Sequence, residues 1–181
     1  MGSNGAVTAS LLIITGTMGA GKTSVLAEAS DILALRHVAH AAIDVDALGL
    51  ALLPPGVERD AAMYGNLECV CKNYAALGVL RFMLARAIER RAELELVRSV
   101  AAAAKTVVCR LTASKEVMEQ RVQRREPGVL QVKFVARVEE LNAILDAARL
   151  EDFTVANEHR SLSDVALAVL FKAGWISKPS L

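Results

Sequence analysis

The chain has 181 residues with 21 basic and 20 acidic side chains, and its residues are 54% hydrophobic but only 4% aromatic. This length favours one compact domain, and the near-zero net charge argues against a nonspecific nucleic-acid binder, which normally carries a basic excess. Three cysteines do not make a disulfide framework. The apolar run at residues 11–14 is too short for a signal sequence or a membrane span. We therefore expect a cytoplasmic protein that binds neither nucleic acid nor membrane, with a flexible N-terminus over residues 1–10 and one domain over residues 11–176.

Short apolar runs alternate along the chain with longer segments of helical periodicity. The five predicted strands cover residues 11–15, 38–43, 79–84, 106–111 and 153–155. The predicted helices cover residues 22–35, 59–77, 88–104, 114–126 and 134–149, and a last helix begins at Ser161 or Ser163 and ends near Gly174. Strands that alternate with helices require right-handed crossovers and favour a mostly parallel sheet that is covered on both faces. The expected fold is an α/β, three-layer α/β/α sandwich with a five-stranded sheet, in which ligands bind at the carboxyl ends of the strands.

One segment matches a phosphate-binding pattern at every fixed position. Residues 16–23 read GTMGAGKT, which fits G-x-x-x-x-G-K-[ST], and they lie between a predicted strand and a predicted helix. Glycines allow successive N–H groups to point into one concavity, and the start of a helix favours anions. Lys22 can reach the β- and γ-phosphates of a nucleotide, and the Thr23 hydroxyl can bind Mg²⁺. The segment predicts a site for ATP and Mg²⁺ formed by Gly16, Thr17, Met18, Gly19, Ala20, Gly21, Lys22, Thr23 and Ser24.

Two carboxylates, Asp44 and Asp46, follow the second predicted strand. At alternate positions past a strand they could serve Mg²⁺ and the hydroxyl group of an acceptor. An acidic turn or a helix cap would show the same pattern. The chain has no N-K-x-D motif, which a GTPase normally carries, and its third and fourth predicted strands end without the aspartate typical of motor and transporter ATPases.

Three arginines lie on the helix that ends before Pro127-Gly128. Arg121 and Arg125 are four residues apart and therefore share a face, with Arg124 beside them. Cations there could neutralise charge on a transferring phosphoryl group, and residues 127–128 could act as a hinge. The alternative is a solvated helix face that pairs with nearby glutamates.

Three further polar side chains are candidates for contact with an acceptor. Arg86 follows the third predicted strand, where it could hold an acceptor through a bidentate contact or pair on the surface with Glu89 or Glu93. Asn66 and Asn73 lie two helical turns apart on one face and could line the acceptor pocket, with plain polar surface as the alternative.

In the phosphate-binding segment, the Asp44-x-Asp46 pair and the late arginine helix, the chain resembles the small-molecule kinases of the P-loop fold. These are adenylylsulfate, shikimate and gluconate kinases and the chloramphenicol phosphotransferases. The resemblance implies a P-loop nucleoside triphosphate hydrolase fold and transfer of the γ-phosphate of ATP to a hydroxyl of a small molecule. Adenylylsulfate kinase is the biochemical label nearest to this pattern.

The resemblance also assigns roles to individual residues. It implies that Asp46 orients or deprotonates the acceptor hydroxyl, and that Asp44 contacts substrate or the water shell of Mg²⁺. It implies a lid around residues 121–133 whose Arg121 and Arg125 act in catalysis, with Arg121 also on the nucleotide. In similar kinases the loop at Asn157 runs beside the adenine ring.

Two other functions remain open at this stage. One is a nucleotide-dependent switch with slow hydrolysis and no acceptor, and the other is an interaction module with a degenerate nucleotide site. A switch should hydrolyse ATP without added metabolite, whereas a kinase should be nearly idle until its acceptor arrives. The high share of hydrophobic residues allows either a monomer or a homodimer.

Overall fold

The computed structural model describes residues 8–126 and 128–177. Its strands form one five-stranded sheet in the order β2-β3-β1-β4-β5, and every neighbouring pair is parallel. The strands are Ala9–Thr15 (β1), Ala41–Asp44 (β2), Arg81–Ala85 (β3), Ala103–Thr112 (β4) and Phe153–Ala156 (β5). This architecture confirms the predicted α/β fold with a five-stranded parallel sheet. Residues 1–7, most of the predicted flexible N-terminus, and Pro127 lie outside the described residues.

Within the described residues, six α-helices connect and follow the strands. They are Lys22–Leu35 (α1), Arg59–Ala76 (α2), Arg91–Val100 (α3), Lys115–Arg125 (α4), Gln131–Ala148 (α5) and Leu162–Lys172 (α6), and a 3₁₀ turn covers Asp46–Gly49. Helix α1 begins and ends at the predicted residues. Ser161, one of the two predicted caps, accepts a hydrogen bond from the backbone N–H of Asp164 at 3.1 Å and so starts α6. None of the helices within the described residues is both long enough and apolar enough to cross a membrane.

The helix predicted over residues 88–104 was wrong at both ends. Alanine favours helix, so Ala101–Ala104 extend the helical pattern of the sequence. In the structure Ala102 instead has a φ of 46°, which ends the helix, and Ala103 pairs with Ala9 in the sheet. At the other end, the N–H of Ile88 donates to the Thr15 hydroxyl at 3.0 Å, so the residues after β3 form a loop against the end of β1. This loop places Arg86 at the carboxyl edge of the sheet.

The alternating side chains of the strands build a core on each face of the sheet. Leu12 and Ile14 of β1 pack with α1 and α6, whereas Leu11 and Ile13 pack with α2 and α3. All four side chains are at most 1% exposed, and burial of each stabilises the fold by about 1.5–3 kcal/mol relative to exposure. The sheet is therefore the middle layer of the predicted three-layer sandwich.

Helix α5 is held to the sheet by a buried cation. Arg110 of β4 is only 5% exposed, and its guanidinium contacts the Asp146 carboxylate at 2.8 Å and the Asn142 side-chain oxygen at 3.0 Å. A buried charge needs partners that satisfy its donors, and α5 supplies two of them. The position of α5 against the sheet therefore depends on a polar contact as well as on apolar packing.

Candidate active site

The phosphate-binding loop joins β1 to α1 and is tightly enclosed by other segments. Gly19 and Gly21 have φ values of +76° and +91°, in the region that favours glycine. A Cβ at Gly19 would lie 2.2 Å from the Met118 carbonyl oxygen of α4, and one at Gly21 would lie 2.3 Å from the Asn157 amide nitrogen. No side chain among the described residues caps the N-terminus of α1, so its first N–H groups remain available to an anion.

Lys22 is the cation at the centre of this loop. Its ammonium donates to the carbonyl oxygens of Gly16 and Thr17 at 3.0 and 3.1 Å and lines a cavity of about 620 Å³. Burial lowers the pKa of Lys22 to about 8, and the nearby Arg125 guanidinium lowers the pKa further, while Asp46 opposes the shift. An ammonium held by neutral carbonyls can exchange these partners for phosphate oxygens, which form stronger, charge-assisted hydrogen bonds.

The structure brings together Thr23 and Asp44, the two residues that were expected to hold Mg²⁺. The Thr23 hydroxyl donates to Asp44 Oδ2 at 2.7 Å, and the N–H of Asp46 donates to Asp44 Oδ1 at 3.1 Å. A hydroxyl and a carboxylate beside a phosphate-binding loop are hard oxygen ligands of the kind that Mg²⁺ prefers. The donor set of these two residues therefore fits Mg²⁺.

Asp46 stands at the same cavity and is held by Arg86. The Arg86 guanidinium forms an ion pair with the Asp46 carboxylate and donates from Nε to Glu93 at 3.2 Å. The Glu93 carboxylate also accepts a hydrogen bond from the Tyr64 hydroxyl. Burial, followed by this hydrogen bond, raises the pKa of the Tyr64 phenol. Glu93 lies on α3 and Tyr64 on α2, so two helices fix the orientation of Arg86 and, through it, of Asp46.

Arg121 and Asn157 brace the phosphate-binding loop from the opposite side. Arg121 donates to the Gly19 carbonyl at 3.2 Å and to the Asn157 carbonyl at 2.7 Å. The Asn157 side-chain amide donates to the Ala20 carbonyl at 2.7 Å. Both residues line the cavity, as does Arg125, whose guanidinium contacts Glu126 at 3.1 Å. The contacts of Asn157 stabilise the loop. Because Asn157 also lines the cavity, a contact with the base of a nucleotide stays a prediction.

The structure separates the two asparagines predicted to line an acceptor pocket. Asn66 donates to the Leu48 carbonyl at 2.9 Å and so ties α2 to the 3₁₀ turn that carries Asp46. Asn73 is exposed near the end of α2, which leads to the start of β3 and hence to the opposite edge of the sheet. The geometry therefore does not bring Asn73 to the site.

Two residues that sequence reasoning missed also line the cavity beside Lys22. They are Arg160 and Leu162, which follow β5 at the carboxyl edge of the sheet. The rule that ligands of parallel sheets bind at this edge could have identified them.

The sheet order and the phosphate-binding loop together define the P-loop nucleoside triphosphatase fold.

No family model and no curated protein matches the chain. Similar solved structures include shikimate kinase from Acinetobacter baumannii in complex with shikimate, at 18% identity over 92% of this chain and 93% of that one, with a TM-score of 0.61. They include APS kinase from Mycobacterium tuberculosis in complex with AMPPNP and APS, at 21% identity over 93% and 99%, TM-score 0.60. The tunicamycin resistance protein of Deinococcus radiodurans is 16% identical over 92% and 96%, TM-score 0.65. The chain therefore has the fold of the small-molecule P-loop kinases.

Proposed function

We propose that this protein is a phosphotransferase that moves the γ-phosphate of ATP to a hydroxyl group of a small molecule. The proposal depends on one observation, which is that three features lie at the same cavity. These are the Lys22 ammonium, the hydrogen-bonded pair Thr23–Asp44 and the ion pair Asp46–Arg86. The fold shared with several small-molecule kinases supports the same reaction class.

The first group of residues binds the phosphates. Lys22 would exchange its carbonyl partners for β- and γ-phosphate oxygens, and Thr23 and Asp44 would hold Mg²⁺. When bound, Mg²⁺ supplies positive charge to the oxygens of the transferring group. Arg121 and Arg125 line the same cavity. Their positive charges would stabilise the negative charge of the phosphoryl group in the transition state.

Asp46 would act on the acceptor. In the transfer the acceptor oxygen forms a bond to the γ-phosphorus while the bond to the β,γ-bridging oxygen breaks, and ADP leaves with that electron pair. The hydroxyl proton passes to the Asp46 carboxylate, which lies beside the cavity and is oriented by Arg86. Phosphoryl transfer requires little covalent chemistry from a protein. The main contribution of Asp46 and Arg86 is therefore to position the acceptor hydroxyl.

Transfer from labelled ATP, screened across hydroxylated metabolites, sulfonucleotides, nucleosides and antibiotics, tests the proposal. For an accepted alcohol, the Asp46→Asn variant should lower kcat by about 10²- to 10⁴-fold, the usual contribution of a general base. Its affinity for ATP should change much less than kcat, because the proposed contact of Asp46 is with the acceptor hydroxyl. The matched control is Asp31→Asn, which removes an exposed carboxylate on α1 and should retain activity. If ATP is hydrolysed at the same rate whether or not any of the acceptors is present, the result would instead indicate a nucleotide switch.

A further inference from the structure

Glu93, in the first turn of α3, joins two helices to the loop that follows β3. Its Oε1 accepts hydrogen bonds from the Tyr64 hydroxyl of α2 and, at 3.2 Å, from Arg86 Nε. Its Oε2 accepts the backbone N–H of Glu89 at 2.9 Å. The Glu93 side chain is only 10% exposed, and Tyr64 is buried. Both oxygens of this carboxylate therefore have protein partners, as a buried charge requires.

Arg86 contacts three carboxylates, of which Glu93 is the least exposed. Its guanidinium pairs with Asp46 and contacts Asp60 at 3.8 Å, and both of these carboxylates are more than half exposed. An ion pair with an exposed group holds a side chain weakly, because water screens the charges and ordering the side chains costs entropy. Glu93 is therefore the partner that fixes the position of Arg86.

The contacts of Arg86 are divided among its nitrogen atoms. Nε donates to Glu93, whereas Nη1 contacts Asp46 at Oδ1 and Nη2 faces Asp60. Because a guanidinium is planar and rigid, a contact that fixes Nε also fixes the directions of both Nη atoms. The contact with Glu93 therefore sets the direction from which Arg86 approaches Asp46.

We propose that Glu93 and Tyr64 are positioning residues for phosphoryl transfer, which act through Arg86 to hold Asp46 with Oδ2 turned to the acceptor hydroxyl. This inference rests on the proposed phosphotransferase function and adds two residues that would contact neither ATP nor the acceptor. Among the described residues that line the cavity beside Lys22, neither Glu93 nor Tyr64 is found. Their substitution should therefore lower kcat and change the affinity for ATP much less.

Glu93→Gln tests the contact with Arg86, because the amide keeps the size of the side chain but removes its charge. Transfer from labelled ATP is measured with Mg²⁺ and the screened compound that the wild type phosphorylates fastest. We expect kcat to fall by about tenfold or more, since a displacement of about 1 Å can cost about 100-fold. Kd for ATP, measured by calorimetry, should change much less. The matched control is Glu95→Gln, which removes an exposed carboxylate from the same helix and should retain kcat.

Tyr64→Phe tests the second positioning residue and keeps the test decisive if Glu93→Gln does not fold. It removes only the hydroxyl and retains the ring in the core. We expect a smaller loss of kcat than in Glu93→Gln, because Arg86 and the Glu89 N–H still contact Glu93. The matched control is Tyr74→Phe at an exposed position of α2, which should retain kcat. Wild-type kcat in either Glu93→Gln or Tyr64→Phe would overturn the proposal for that residue.

A double-mutant cycle separates positioning through Arg86 from a general effect on helix packing. Arg86→Lys removes Nε and with it the contact to Glu93. Adding Glu93→Gln to Arg86→Lys should therefore lower kcat by less than about twofold beyond the effect of Arg86→Lys alone. Losses that multiply as if independent would show that Glu93 does not act through Arg86, and would overturn the inference.

The ¹⁵N–¹H NMR signal of Arg86 Nε tests the same contact in the free full chain, without any substrate. The signal is assigned by its absence from Arg86→Lys. It should shift in Glu93→Gln and stay in place in Glu95→Gln. An unchanged signal in Glu93→Gln would refute the positioning inference alone. If the wild type transfers phosphate to none of the screened compounds, the phosphotransferase function is refuted, and this inference fails with it.

Discussion

The affinity for ATP should fall as the pH rises from 7 to 9, because Lys22 loses its proton in this range. Burial lowers the pKa of Lys22 to about 8 in the free protein, against the opposing charge of Asp46. A triphosphate attracts the charged ammonium far more strongly than the neutral amine. Bound nucleotide therefore raises the pKa of Lys22, and binding above neutral pH must take up a proton.

The magnitude follows from the pKa of Lys22. With a value of about 8, roughly nine-tenths of the Lys22 side chains are charged at pH 7 and roughly one-tenth at pH 9. If only the charged form binds, Kd for ATP at saturating Mg²⁺ should rise about tenfold between these pH values, which is about 1.4 kcal/mol. At pH 8 each binding event should take up about half a proton, because about half of the side chains are neutral there.

Titration calorimetry in two buffers of different ionisation enthalpy measures this proton uptake directly. Lys22→Arg is the matched control, since a guanidinium stays charged throughout this range. The variant can bind ATP more weakly, but its affinity should not change between pH 7 and 9. Heat that is independent of the buffer in the wild type at pH 8 would refute the reasoning. The reasoning would also be refuted if Kd for Lys22→Arg changed between pH 7 and 9 as much as Kd for the wild type.

Two further predictions concern the packing around the phosphate-binding loop. Gly19→Ala should abolish ATP binding in calorimetry, because its Cβ would lie 2.2 Å from the Met118 carbonyl oxygen. Gly78→Ala has a similar φ of +84° but nothing within 4 Å, so it should lower the melting temperature slightly and leave ATP binding intact. Asn157→Ala removes the donor to the Ala20 carbonyl and should lower the free energy of unfolding by about 1–2 kcal/mol and weaken ATP binding severalfold. Wild-type affinity in either Gly19→Ala or Asn157→Ala would show that the loop does not depend on the contact.

Local sequence pattern predicted most of the secondary structure, and its errors have identifiable causes. Helix α1 lies at its predicted residues because helical periodicity and the glycine loop before it agree. The alanines after α3 were predicted helical, yet the second of them has a positive φ and the third pairs with β1. Helix propensity is a weak preference that a strand partner far away in the chain can override.

The acceptor side of the site shows what a sequence leaves open. Arg86 was expected either to hold an acceptor or to pair with Glu89 or Glu93, and the structure pairs it with Glu93, Asp46 and Asp60. Two of these partners, Asp46 and Asp60, precede β3 in the chain, and separation along the chain is no guide to their distance from Arg86 in the fold. The same limit explains Asn73, which shares a helix face with Asn66 but lies at the far end of α2.

The sequence alone determined the chemistry of the phosphate site. Its glycines, Lys22 and Thr23 are contiguous, so the strand before them and the helix after them are enough to predict an anion-binding loop beside a cation. Only the tertiary structure decided how that loop is braced and what holds Asp46. These depend on contacts between residues that are 40 to 137 positions apart, such as Arg86 with Asp46 and Asn157 with Ala20. Such contacts form only when the parallel sheet brings the carboxyl ends of its strands to one edge, and local preferences of the chain do not encode which side chains meet there.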